Sequence, residues 1–220
     1  MLNYILILFL FILLNSQDNF SGIDINEWQG PDIDFQKVKE SGIDFVIIRA
    51  GIGDTLDLYW ELNYKKAKEA GLNVGAYWYS KAFNERESQK EAEYTLNAIE
   101  EKQLEYPIYY VIEQREIIVK GKSFCSSIAK IFCSHLERNK KYCGVYSSKN
   151  IIDLYFDEEV KRCYTIWVSQ YEQDCSYSED YGICQKSNKG DVVGLPGDIN
   201  LDISYVNFPP RIKRNHRNGF

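Results

Sequence analysis

The chain has 220 residues, of which 45% are hydrophobic, and this is enough to bury one sizeable core in a single domain. Its formal net charge is -6, so the chain as a whole has no general electrostatic attraction to nucleic acid or to anionic membranes. We therefore expect no nucleic-acid partner.

The amino-terminal residues 2–14 are almost wholly apolar and are followed by a polar stretch over residues 15–19. Because the apolar run is too short to span a bilayer comfortably, it predicts a signal peptide over residues 1–16, with a retained signal anchor as the alternative. Six cysteines and the glycosylation sequence Asn19-Phe20-Ser21 fit an oxidising compartment. We predict a protein that is secreted or held in the lumen of secretory or lysosomal vesicles, with no membrane partner after signal removal.

From residue 17 onward, short apolar runs alternate with amphipathic stretches. The apolar runs predict strands over residues 22–26, 45–49, 73–80, 107–113, 143–147 and 164–171. The stretches between them predict helices over residues 34–41, 59–70, 85–102, 122–138 and 149–156. Continuous apolar strands that alternate with helices indicate a parallel sheet buried on both faces. The predicted fold is therefore α/β, a β/α barrel over residues 17–208 that ends in short, irregular strands.

The carboxyl-terminal residues 209–220 begin with two prolines and contain four basic residues with no acid among them. We interpret this segment as a mobile basic tail, either without a partner or with a weak attraction to anionic polymers.

The cysteines predict one local pair, Cys175 with Cys184, because the eight residues between them are polar and turn-like. The spacing leaves the pairing of the other four open: Cys125, Cys133, Cys143 and Cys163. It also lacks the closely spaced ligand pairs of a structural zinc site, so we predict no metal.

Glu113 is the most informative single residue, because it ends the apolar run that begins at Pro107. Burial raises the pKa of a carboxyl group and can leave it protonated near neutral pH, as a general acid requires. The alternative is a structural ion pair with Arg49 or Arg115.

In a β/α barrel, the chemistry lies at the carboxyl ends of the strands. Two acids and several aromatic residues fall at or near these ends: Asp24, Arg49, Tyr77, Tyr79, Glu113, Tyr146, Trp167 and Gln170. Aromatic rings stack on the apolar faces of sugars, and carboxyl groups act on the bridging oxygen. The set therefore predicts a glycan-processing cleft.

Several segments carry a resemblance to a known family. Residues 22–30 read GIDINEWQG and are followed by IDF over residues 33–35. Residues 45–51, FVIIRAG, residues 71–79, GLNVGAYWY, and residues 166–171, IWVSQY, continue the match in order. The chain thus resembles the family 25 glycoside hydrolases, the Chalaropsis-type lysozymes, over nearly its whole length beyond the signal peptide.

This resemblance implies an irregular, flattened TIM-like barrel that hydrolyses the β-1,4 bond between N-acetylmuramic acid and N-acetylglucosamine in bacterial peptidoglycan. It implies no cofactor, and we expect a monomer. Its catalytic residues would be Glu113, Asp24 and a late aspartate, for which we prefer Asp202 over Asp198. Substrate binding would fall to Arg49, Tyr77, Tyr79, Tyr146, Trp167 and Gln170.

The chain departs from the family at one position. The family's fourth strand ends in Asp-x-Glu, whereas this chain has Val111, Ile112 and Glu113. Residues two apart on a strand face the same side, so Val111 stands where an aspartate would position the N-acetyl group of the substrate. This substitution predicts a lysozyme with reduced activity, and the alternative is a catalytically impaired glycan-binding protein. A chitinase-like enzyme is a weaker alternative.

Overall fold

The computed structural model describes residues 19–171 and 175–220. The predicted signal peptide over residues 1–16 lies outside these ranges. Within the ranges, no helix is both long enough and apolar enough to cross a membrane.

The strands of the described chain form one sheet. They are β1 (Phe20–Ile25), β2 (Phe45–Ile52), β3 (Thr55–Leu56), β4 (Asn73–Tyr79), β5 (Ile108–Val111), β6 (Cys143–Ser148), β7 (Thr165–Ser169), β8 (Ile183–Gly190) and β9 (Ile199–Ser204). Their order is β1-β9-β8-β7-β6-β5-β4-β2-β3, and an additional pairing of β1 with β2 closes eight of them into a barrel. Strand β9 is antiparallel to both of its neighbours, and β3 pairs with β2 as a short hairpin outside the ring.

Helices surround the barrel. They are α1 (Phe35–Glu40), α2 (Trp60–Glu69), α3 (Glu85–Ala98), α4 (Arg115–Ile118), α5 (Lys122–Arg138), α6 (Lys149–Tyr155), α7 (Glu158–Cys163) and α8 (Phe208–Arg214). A 3₁₀ turn over Glu27–Gln29 follows β1. The α/β barrel predicted from the alternating pattern is therefore confirmed.

The sheet separates two apolar cores, because successive side chains of a strand point to opposite faces. Outside the barrel, Tyr110 stacks on Phe132 of α5 with ring centres 3.9 Å apart. Inside it, the adjacent Tyr109 packs edge-on against Trp167 at 5.2 Å. Small residues make room for the interior rings: a Cβ at Gly22 would overlap the ring of Phe45.

The carboxyl-terminal segment corrects one prediction. Residues 209–220 are not a free tail, since Phe208 and Ile212 of α8 are fully buried at the amino-terminal end of the barrel interior. Asn218 is also fully buried, and its side chain donates to the carbonyl of Tyr106 and accepts from the backbone N–H of Tyr142. The basic residues hid this packing, because they face outward around two apolar anchors spaced four residues apart.

The disulfide predicted between Cys175 and Cys184 is present. The other four cysteines are unpaired, and Cys125, Cys133 and Cys143 are buried whereas Cys163 is exposed. The sulfur atoms of Cys133 and Cys143 lie 2.8 Å apart between α5 and β6.

Candidate active site

A cleft of about 180 Å³ opens at the carboxyl-terminal end of the barrel. Residues from all eight barrel strands, or from positions just beyond them, line it: Asp24, Asn26, Arg49, Tyr77, Tyr79, Val111, Glu113, Tyr146, Trp167, Gln185 and Asn200. Strand pairing thus brings together side chains that are as far apart in sequence as Asp24 and Asn200.

The register of the strands builds one wall of this cleft. Tyr79, Val111, Tyr146 and Trp167 occupy directly paired positions on β4, β5, β6 and β7. The Trp167 ring lies 4.4 Å from the ring centre of Tyr146 and 6.1 Å from that of Tyr77. The wall is therefore a row of aromatic rings interrupted by the aliphatic side chain of Val111.

Glu113 lies two residues beyond β5 and is partly buried in the cleft. Burial, reinforced by the nearby charge of Asp24, raises the pKa of Glu113 to about 7. A large fraction of these carboxyl groups is therefore protonated at neutral pH.

The alternative of a structural ion pair for Glu113 finds no support in the described part of the chain, where neither arginine bonds to it. The Arg49 guanidinium instead donates from Nε to Asp57 at 2.7 Å and from an Nη to Glu27 at 2.8 Å. Arg115 is exposed at the start of α4.

Asp24 on β1 is buried, and both of its oxygens accept hydrogen bonds. Gln185 Nε2 donates at 2.6 Å, and Asn200 Nδ2 donates at 3.0 Å. Burial raises the pKa of Asp24 to about 6, and these bonds limit the rise because they stabilise the charged form. Asp24 is therefore ionised at neutral pH, at which Glu113 still holds protons.

Gln185 is held in place by two tyrosines. The hydroxyl groups of Tyr146 and Tyr171 both donate to its Oε1, at 2.9 and 2.8 Å. This contact turns the amide so that Nε2 points at Asp24, and it fixes the orientation of the carboxylate in the cleft.

Asp202 on β9 lies directly behind this group, with only 1% of its surface exposed. Its Oδ1 accepts from Trp167 Nε1 at 2.8 Å. Burial, together with the charge of Asp24, raises the pKa of Asp202 well above its usual range. Burial therefore favours the protonated form of Asp202, which lies against Asp24. Asp198, the alternative, is exposed ahead of β9.

The structure brings most of the residues expected from the sequence into the cleft lining and places two elsewhere. Asp202 stands behind the lining, against Asp24 and Trp167. The Gln170 side chain binds the backbone N–H and hydroxyl of Ser176, in the segment before the disulfide. Three lining residues were not anticipated: Asn26, Gln185 and Asn200. Asn26 and Asn200 are polar residues beside apolar strand residues, whereas Gln185 lies within the polar strand β8 and carries no such signal.

The arrangement suits acid catalysis on a bond between sugars. One carboxyl group is protonated near neutral pH and another is ionised, which is how carboxyl pairs divide the roles of acid and charge stabiliser. Across the described ranges, no three His, Cys, Asp or Glu side chains are grouped to hold a metal ion.

Comparison with known proteins agrees with this geometry. The chain is 31% identical to the autolytic lysozyme of Clostridium acetobutylicum over 185 residues, which is 82% of this chain and 54% of that protein. It is 28% identical to the uncharacterized protein YegX of Escherichia coli over 200 residues, which is 83% of this chain and 68% of YegX. The chain thus spans about half the length of the Clostridium relative.

Solved structures share the fold. The autolysin LytC of Streptococcus pneumoniae, in complex with a synthetic peptidoglycan ligand, superposes with a TM-score of 0.78 at 22% identity and covers 86% of this chain and 47% of LytC. A family 25 glycosyl hydrolase of Bacillus anthracis gives a TM-score of 0.76 at 20% identity and covers 88% of this chain and 92% of that one.

The sequence profile described as Glycosyl hydrolases family 25 matches residues 23–195. That range extends from β1 to the approach to β9 and includes Asp24 and Glu113. The chain belongs to glycosyl hydrolase family 25.

Proposed function

We propose that the protein is a lysozyme that hydrolyses the β-1,4 bond between N-acetylmuramic acid and N-acetylglucosamine in bacterial peptidoglycan. One observation carries the proposal: Glu113, with its pKa raised to about 7, lies in an aromatic cleft beside an ionised Asp24. The name of the Clostridium relative and the ligand of LytC support peptidoglycan as the substrate.

Each group has a role in this reaction. Glu113 protonates the bridging oxygen as the bond to the leaving sugar breaks, and the positive charge that develops on the remaining sugar is stabilised by the Asp24 carboxylate. Asp202, which touches Asp24 and not the cleft, is a positioning residue. Ring faces for the sugars come from four cleft residues, Tyr77, Tyr79, Tyr146 and Trp167. Arg49, whose charge is paired with Asp57 and Glu27, offers its remaining N–H groups at the cleft wall.

Val111 lowers the expected rate. Its side chain lines the same cleft as Glu113, and it offers no hydrogen bond to the N-acetyl group of a bound sugar. The second candidate function, which this observation favours, is a glycan-binding protein that keeps the aromatic cleft and has lost most of its turnover.

Release of reducing ends from purified peptidoglycan tests the proposal, with Glu113→Gln as the matched control because it keeps the shape of the side chain and removes the titrating group. We expect release by the native protein and none by the variant. Binding to peptidoglycan without release of reducing ends would establish the glycan-binding function. Absence of both binding and release would contradict the lysozyme function and the glycan-binding function alike.

We also propose secretion, or delivery to a vesicle lumen, on the strength of the apolar residues 2–14. Sequencing the amino terminus of the mature protein tests this: we expect a start near residue 17, and a retained residue 1 would contradict cleavage.

A further inference from the structure

A second cavity adjoins the cleft at the same end of the barrel. It measures about 560 Å³, against about 180 Å³ for the cleft itself. Ile52, the last residue of β2, lines this side cavity and pairs directly with Tyr79, which lines the cleft. Lys81 also lines it, and its Nζ lies 5.6 Å from the centre of the Tyr79 ring. The two cavities therefore share a wall.

The side cavity has a buried, polar floor. Glu91 of α3 is 3% exposed and accepts from the backbone N–H of Lys81 at 2.7 Å and from the hydroxyl of Tyr110. Tyr110 in turn accepts from the hydroxyl of Ser80 at 2.8 Å. None of these four groups belongs to the acid-catalytic set, so the catalytic reaction alone does not account for this network.

Two cations stand at the rim of the side cavity. Lys81 and Lys90 are exposed, and neither ammonium group forms an ion pair within residues 19–171 or 175–220. Asp54 lines the same cavity, is exposed, and has no cationic partner in those ranges. Glu87 also lines the cavity and accepts hydrogen bonds from Phe83 and Asn84. The rim thus presents charges of both signs, which a neutral ligand would not use.

We propose that the side cavity binds the peptide branch of peptidoglycan, an inference that rests on the proposed function. This branch leaves the lactyl group of N-acetylmuramic acid and carries free carboxylates together with the amino group of a diamino acid. Lys81 and Lys90 bind its carboxylates, and Asp54 binds its amino group.

The distances suit a branch that starts in the cleft. Two extended residues reach about 7 Å, which exceeds the 5.6 Å between the cleft-lining Tyr79 ring and the Lys81 ammonium group. A longer, uncharged glycan could also enter the cavity, but its hydroxyl groups would form no ion pair with the two ammonium groups. The peptide is therefore the better match.

The proposal is tested by calorimetry, which measures the affinity for a disaccharide-peptide and for the same disaccharide after an amidase has removed the peptide. All proteins carry Glu113→Gln so that the ligands stay intact. We expect the Glu113→Gln protein to bind the peptide-bearing ligand about tenfold more tightly than the peptide-free ligand. The further change Lys81→Ala with Lys90→Ala should remove this preference. Affinity for the peptide-free ligand should stay the same.

The matched control is Lys122→Ala with Lys189→Ala, which removes the same charge from two exposed lysines that line neither cavity. This pair should keep the tenfold preference. Equal affinity of the parent protein for both ligands, or a preference that survives loss of Lys81 and Lys90, would overturn the peptide site and leave the proposed function standing. Failure to bind either ligand would instead count against the proposed function itself.

Discussion

The two ends of the barrel interior contain different kinds of side chain, acidic at one end and aromatic at the other. At the carboxyl-terminal end, Asp24, Glu113 and Asp202 are held in or behind a cleft, and burial raises the pKa of each of them. At the amino-terminal end, Phe45 stacks on Tyr106 with ring centres 4.1 Å apart, and Tyr106 packs on Phe208 at 5.5 Å.

This difference teaches how one barrel can hold buried acids. Burial of an ionisable carboxyl group destabilises the fold at pH values where the group ionises in water, whereas burial of aromatic rings stabilises it. The aromatic end offsets the cost of the acidic end. Changes at the first end should therefore alter chemistry, and changes at the second should alter stability.

The largest effect is expected from Glu113→Gln at the acidic end. Loss of the proton donor should lower the rate of reducing-end release by about 10²–10⁴-fold, while the melting temperature at neutral pH stays the same or rises. Activity assays and thermal unfolding of the same preparation measure both. Wild-type activity in the variant would show that another group supplies the proton.

At the aromatic end, Phe208→Ala should lower the free energy of unfolding by about 3–5 kcal/mol, because a fully buried ring is removed. The activity per folded molecule should be unchanged. Urea unfolding measures the loss, and Leu154→Ala, at a position 64% exposed, is the control that should change stability by less than about 0.5 kcal/mol. A small effect of Phe208→Ala would refute the assignment of stability to this end.

Val111→Asp sharpens the comparison, since it adds an acid at the acidic end. Removal of one oxyanion-hole donor typically lowers the rate of an enzyme by about 10²–10³-fold, or roughly 3–4 kcal/mol. If the new aspartate contributes as much by positioning the N-acetyl group, hydrolysis should rise by the same factor. Affinity for glycan should change little. Val111→Ala frees space without adding an acceptor, so an equal gain in that variant would refute a role for the carboxylate.

The effect expected to be smallest on activity is a dependence of stability on pH. Folding raises the pKa of Asp24 to about 6 and those of Glu91 and Glu113 to about 7. The unfolded chain releases these protons at a lower pH than the folded chain does. The stabilisation that the three protonated carboxyl groups provide is therefore complete below about pH 4 and is lost as the pH rises through 7. The melting temperature should fall by several degrees over that rise.

Thermal unfolding at fixed ionic strength from about pH 5 to about pH 8 measures this dependence, and Glu113→Gln should make it shallower. A melting temperature that increases with pH across this range would contradict the raised pKa values.

The fold and most of the cleft could be predicted because they depend on local patterns. Glu113 and Asp24 end or interrupt apolar runs, and such residues gather where parallel strands end. Asp202 could be preferred over Asp198 because apolar residues flank it on both sides. These are properties of a few neighbouring residues, which the sequence displays directly.

Other contacts depend on strand pairs and loops far apart in the chain. Gln185 lies in a polar strand, and nothing near it shows that β9 will place Asn200 beside Asp24 or that Tyr146 will turn its amide. The helix α8 was missed for a similar reason, since its binding surface is formed by Tyr106 and Tyr142, distant residues at the far end of the barrel.

The pairing of β1 with β9 also has a consequence for the order of events during synthesis. Asp24 is made early on the ribosome, but Asn200 and Asp202, which hold it, are made about 180 residues later. The barrel cannot close, and the cleft cannot be completed, before β9 emerges. A growing chain therefore lacks a complete cleft until its last strand has been made.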